Sequence, residues 1–119
     1  LAKTYDESAM KLTQTGEICG SQLYMSPEQC QGAHLDNRSD IYSLGCLFYE
    51  SLSGIPPIKG DSAYDTFNRK FSDTPLPFDP ALNIPGWLSA LIMSMLSVRR
   101  EERPASAQSL AKSFAAFLR

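Results

Sequence analysis

Apolar residues are sparse and irregular over the first 32 positions and then become dense and periodic. In the early stretch Thr4, Ser8, Thr13, Thr15, Ser21 and Ser26 are interspersed with glycines, which reads as a long loop from Leu1 to Gly32. Loops longer than about 12–15 residues are uncommon in compact domains unless they are functional or disordered, so this length is itself a clue. The pattern changes at Ser39, where Asp-Ile-Tyr-Ser-Leu-Gly-Cys-Leu-Phe-Tyr-Glu-Ser-Leu follows. Ser39 is available as N-cap and Gly54 as a C-terminal stop ahead of Pro56-Pro57, which predicts a helix over 39–53. Ile41, Leu44, Phe48 and Leu52 mark one face, while Tyr42, Cys46, Leu47 and Tyr49 fill the others. A helix apolar nearly all round belongs in the middle of a domain.

Three further helices follow from the same periodicity. Asp61 or Ser62 caps a shorter one running to Phe71, and Pro75, Pro77, Pro80 and Pro85 then punctuate an extended spacer. From Gly86 to about Ser97, Trp87, Leu88, Leu91, Ile92, Met95 and Leu96 recur at helical spacing, with Pro85 suited to the first turn. The last helix, from Ser106 to Leu118, carries Leu110, Ala111, Phe114, Phe117 and Leu118. The expected fold is mainly α, with about four main helices, a long N-terminal loop and no strand. No repeat of fixed period is visible, which weakens a helical-repeat alternative.

Composition narrows this picture. A chain of 119 residues suffices for one domain, and its hydrophobic fraction of 43% and charged fraction of 20% are those of a folded globular protein. The net charge is −2, and around Arg99, Arg100 and Arg103 the acids Glu101 and Glu102 cancel most of the positive field, so no nucleic-acid partner is expected. No apolar run is long enough to span a bilayer and the first residues lack the core of a signal peptide, so we expect a cytoplasmic location and no membrane segment in this chain. Cys19, Cys30 and Cys46 are too irregularly spaced for a Cys-x-x-Cys metal knuckle, and no metal site is expected. Cys46 reads as a small core residue, not a nucleophile, because the single histidine, His34, lies in a polar loop.

The order of signals is more specific than any one of them. A Thr-rich loop precedes Gly20-Ser21, then Tyr24-Met25-Ser26-Pro27-Glu28, then Ser39-Asp40-Ile41-Tyr42-Ser43-Leu44-Gly45, and much later Arg103-Pro104. This succession resembles the serine/threonine protein kinase catalytic domain, bacterial type, over essentially the whole chain. The resemblance begins just after the family's Asp-Phe-Gly motif and runs to the domain end. It implies the helical C-lobe of the kinase fold, with 1–32 as activation segment and substrate shelf and 33–119 as helical subdomain.

The resemblance also gives individual residues roles. Ser26-Pro27-Glu28 is similar to the Ala-Pro-Glu motif that closes the activation segment, and implies a carboxylate–guanidinium bridge from Glu28 to Arg103. On residue type alone, both would be surface charges on unconnected elements. Asp40 alone would be a first-turn acid favoured by the helix dipole; the resemblance implies instead that it holds the catalytic loop. Gly45 at mid-helix, at a cost of roughly 1 kcal/mol against alanine, suggests close approach of another segment. Tyr42 stands where the family often has tryptophan. Gly20, Ser21 and Tyr24 fall in the substrate-binding shelf, with Ser21 matching a residue that contacts the catalytic groups. Thr13 and Thr15 fall where the family is phosphorylated.

Phosphoryl transfer requires a Gly-rich loop, a strand lysine, a catalytic-loop aspartate and asparagine, and the Asp-Phe-Gly aspartate. None is in these 119 residues. His34-Leu35-Asp36 superficially resembles His-Arg-Asp but stands after the Ser-Pro-Glu motif, the wrong order, and reads as a turn before the central helix. The resemblance therefore implies a parent enzyme that uses ATP and Mg on protein substrates, and a fragment that binds neither and has no catalytic residues of its own. Without the kinase N-lobe and catalytic loop, an exposed apolar patch and self-association are expected. A short, non-catalytic protein-binding module derived from a kinase is the alternative of a different class.

Overall fold

The computed structural model describes residues 20–118. The candidate phosphorylation residues Thr13 and Thr15 lie outside the described residues. Among the described residues five α-helices are formed: α1 (Pro27–Cys30), α2 (Asn37–Ser53), α3 (Ala63–Ser72), α4 (Gly86–Met95) and α5 (Ala107–Phe117). Short 3-10 turns occupy Gly20–Tyr24, Pro80–Leu82 and Arg100–Glu102. Among the described residues there is no strand, and the chain is mainly α, as expected. The four longer helices are those anticipated from periodicity.

The described part of the long loop differs from expectation, because the stretch before Gly32 holds one 3-10 turn and the four-residue α1. The short helix has a local cause. Ser26 accepts the Gln29 amide at 3.2 Å while Gln29 Oε1 accepts the Ser26 amide at 2.7 Å. This reciprocal capping box, with Pro27 at the first helical position, starts a helix without help from an apolar stripe.

The central helix also begins earlier than expected. Its N-cap is Asp36, in extended geometry and accepting the Arg38 amide at 2.9 Å, so Ser39 is not the cap. Ser39 lies inside the first turn and is buried, with its hydroxyl turned towards Glu28. The far end is closed by Gly54 at φ 83°, a left-handed conformation that glycine takes without a Cβ clash. Ser62 and Ser106 cap α3 and α5 by accepting the Asp65 and Ser109 amides.

On α2, Ile41, Tyr42, Gly45, Cys46 and Tyr49 are buried, so burial is shared between the two sets of apolar positions. Leu44 and Phe48 are partly buried, and Leu52 is exposed. Tyr42, Cys46 and Tyr49 pack with Ile92 and Leu96 of the α4 region, while Ile41 meets Met95 and Leu110. Burial pushes the Cys46 thiol up to about 12, in keeping with a core side chain. Tyr49 packs against Phe78, with ring centres 4.9 Å apart and the planes tilted by 32°, and donates to the Leu76 carbonyl at 2.7 Å, fastening the proline-rich spacer to the core. The other side of α2 is left open, with Leu47 half exposed.

Candidate functional site

Two groups of interactions, besides the contacts of Arg100 with His34 and Asp36, tie the segment 20–36 to the helical body. The first centres on Arg103. Its guanidinium forks onto the Glu28 carboxylate, with Nη1 to Oε2 at 2.6 Å and Nη2 to Oε1 at 2.8 Å. Nε donates to the Ser97 carbonyl at 2.8 Å, Nη1 also to Arg38 at 3.0 Å and Nη2 also to Val98 at 3.2 Å. All five guanidinium N–H donors are thereby used. The Ser39 hydroxyl donates to Glu28 Oε2 at 2.8 Å.

Arg103 and Glu28 are both buried. Burial would raise the Glu28 pKa, but hydrogen bonds from Arg103, from its own backbone amide and from Ser39, with the Arg103 charge, outweigh it and hold the carboxyl at about 2. Glu28 reaches this place because the capping box at Ser26 aims α1, and Arg103 because the 3-10 turn Arg100–Glu102 reverses the chain after α4. The guanidinium also lies 5.0 Å from the centre of the Tyr42 ring.

The second group holds the 3-10 turn Gly20–Tyr24. The Ser43 hydroxyl of α2 donates to the Tyr24 carbonyl at 2.7 Å, and the Tyr24 hydroxyl donates to Glu50. That hydrogen bond, followed by burial, raises the Tyr24 pKa. From α3, the Ala63 carbonyl accepts Gln22 Nε2 at 3.0 Å and Lys70 Nζ donates to the Leu23 carbonyl at 3.0 Å. Gln22 is buried, and its Oε1 has no partner among the described residues.

These contacts place the sequence candidates. Gly20, Ser21 and Tyr24 share the 3-10 turn, and Glu28 and Arg103 form the buried pair. Gly45 faces α4 so closely that a Cβ there would stand 2.9 Å from Met95 Cβ and 3.2 Å from Leu96 Cδ2. Asp40 is exposed in the first turn of α2. Arg100, a member of the suspected basic cluster, donates to the His34 carbonyl at 2.5 Å and lies 3.9 Å from Asp36. Arg103 is buried, while Arg99 is exposed.

Sequence reasoning missed Lys70, Gln22 and Ser39. Ser39 was read as a cap, and only the position of Glu28 shows its other use. Lys70 sits beside Arg69 in a helix whose polar residues suggest a solvent face, and no local signal marks it as buried.

The sequence matches the protein kinase domain family over residues 1–115. The chain belongs to that family. Kinase relatives from several bacteria align along most of it. The probable serine/threonine-protein kinase PknB of Bifidobacterium longum is 42% identical over 86 residues, which cover 72% of this chain and 12% of that protein. PknB of Mycobacterium tuberculosis is 37% identical over 106 residues, 87% of this chain and 17% of that protein. The serine/threonine-protein kinase pkn2 of Myxococcus xanthus is 39% identical over 113 residues, 92% of this chain and 14% of that protein. The chain thus spans less than a fifth of the length of these relatives. Within the kinase family it is a bacterial Ser/Thr kinase domain fragment whose described residues belong to the helical C-lobe.

Proposed function

We propose that this chain is the activation segment and helical body of a serine/threonine kinase that transfers the γ-phosphate of Mg·ATP to protein Ser and Thr hydroxyls in the cytoplasm. The observation that carries this reading is the protein kinase domain match over residues 1–115. In this reading Gly20, Ser21 and Tyr24 stand on the substrate side. Glu28, Arg103, Asp40 and Gly45 are structural, and Thr13 and Thr15 are phosphorylated in the active enzyme. Phosphate on either threonine adds about −1.5 to −2 charge, enough to reorganise a loop around arginines.

The chain alone is proposed to be inactive. The support for this is the sequence, in which none of the motifs that hold Mg·ATP in kinases is found. In kinases the metal and phosphates are held by a Gly-rich loop, a strand lysine, the catalytic loop and Asp-Phe-Gly. What this chain supplies is a rigid base for the substrate-facing turn, through Ser43 and Glu50 from α2 and Ala63 and Lys70 from α3.

The test is Mg·ATP-dependent phosphorylation of a generic Ser/Thr protein substrate, by the full-length kinase carrying this segment and by the folded 119-residue chain. Transfer by the first and none by the second is expected. Transfer by the short chain, surviving repurification, would overturn its inactivity. A folded full-length protein without transfer would overturn the kinase reading and favour a binding module.

A further inference from the structure

Helix α3 buries a lysine among the contacts that reach the turn Gly20–Tyr24. Lys70 is 1% exposed, and its ammonium has the Leu23 carbonyl at 3.0 Å and the Tyr42 ring centre at 5.3 Å. Among the described residues no carboxylate forms a salt bridge with it. Burial of an ammonium is unfavourable unless its hydrogen bonds are replaced, and burial here lowers the lysine's pKa. If packing were all that mattered, a methionine would fill much the same volume without that penalty.

The placement of the ammonium gives it a purpose. Leu23 lies in the turn Gly20–Tyr24, two residues beyond Ser21, and α3 reaches the same turn again through the Ala63 carbonyl and Gln22. One end of α3 therefore holds the turn by a backbone carbonyl that accepts from Gln22, and the other by a cation that donates to Leu23. The Tyr42 ring beneath Lys70 also lies 5.0 Å from the Arg103 guanidinium, so the two anchors of segment 20–36 meet on one side chain of α2.

We propose that Lys70 is a positioning residue for protein-substrate recognition, setting the turn Gly20–Tyr24 against α3 through the Leu23 carbonyl and so fixing where Gly20 and Ser21 meet the substrate. The proposal rests on the kinase reading above. Lys70 touches neither substrate nor ATP, and acts only through the turn.

Two measurements on Lys70→Met and Lys70→Gln test it, the second variant keeping an N–H donor if the first does not fold. In the 119-residue chain, hydrogen exchange at the Tyr24 and Met25 amides should quicken about tenfold in Lys70→Met while α4 keeps its protection. Lys70→Gln should fall between Lys70→Met and the unsubstituted chain. Unchanged exchange at both amides in a folded variant would overturn the proposal. In the full-length kinase, Lys70→Met should raise KM for the protein substrate about tenfold and leave kcat and the ATP KM within about twofold. Parallel loss of kcat and ATP affinity would show a general structural role and overturn it too. If the unsubstituted full-length protein transfers no phosphate, the kinase reading fails by itself, and the exchange data still decide whether Lys70 holds the turn.

Discussion

At Glu28, burial pulls the carboxyl pKa upward and the guanidinium, the amide and the Ser39 hydroxyl pull it down, with the second set prevailing. The folded-state value of about 2 lies below the ordinary 4.5, so the unfolded chain binds the proton more readily. The stabilisation is therefore fully present above about pH 4.5 and is lost as pH falls towards 2. Urea midpoints measured from pH 6 down to pH 2 should fall across that window in the unsubstituted chain. Glu28→Gln, already less stable at pH 6, should show a shallower fall. Identical slopes would mean that Glu28 is not held by Arg103 in solution. Both members of this pair were readable from motif order, because Ser26-Pro27-Glu28 is similar to the kinase family's Ala-Pro-Glu and the resemblance implies a bridge from its glutamate to Arg103. Lys70 was not readable, since lysine is ordinarily exposed and its burial depends on where α3 lies beneath the turn.

Element boundaries show the same division between local and tertiary causes. Asp36 and Ser39 both have side chains that cap helices, and the sequence pattern begins at Ser39. The structure gives the cap to Asp36 because Ser39 is drawn inward to Glu28. The α1 capping box is written in Ser26-Pro27-Glu28-Gln29 and was overlooked because four residues carry no periodicity. On α2, the mid-helix Gly45 pointed to a close neighbour, and Met95 and Leu96 of the α4 region are the groups a Cβ would meet. Gly45→Val should therefore destabilise the fold by about 1–3 kcal/mol, because its Cβ would stand 2.9 Å from Met95 Cβ, an atom bonded directly to the backbone. Thermal unfolding with circular dichroism checks this, and a midpoint unchanged or raised would contradict the packing described for α2 and α4.

For the whole molecule, periodicity foretold a helical body but did not say which side of α2 stays uncovered. Tyr42, Cys46 and Tyr49 are buried, while Leu47 is half exposed and Leu52 and Ile55 are exposed beyond it. Light scattering over a concentration series should show the 119-residue chain self-associating as concentration rises. A monomer at every concentration would count against that expectation. The segment around residue 28 and the chain around residue 103 are locked together across 75 positions by one buried ion pair. A double-mutant cycle with Glu28→Gln and Arg103→Met, followed by urea unfolding, measures this lock. Each single substitution should cost about 3–5 kcal/mol, and the double substitution much less than their sum, with a coupling of at least about 2 kcal/mol. Additive losses, with a coupling near zero, would mean that the two residues do not meet and that the segment is not fastened to the helical body in this way.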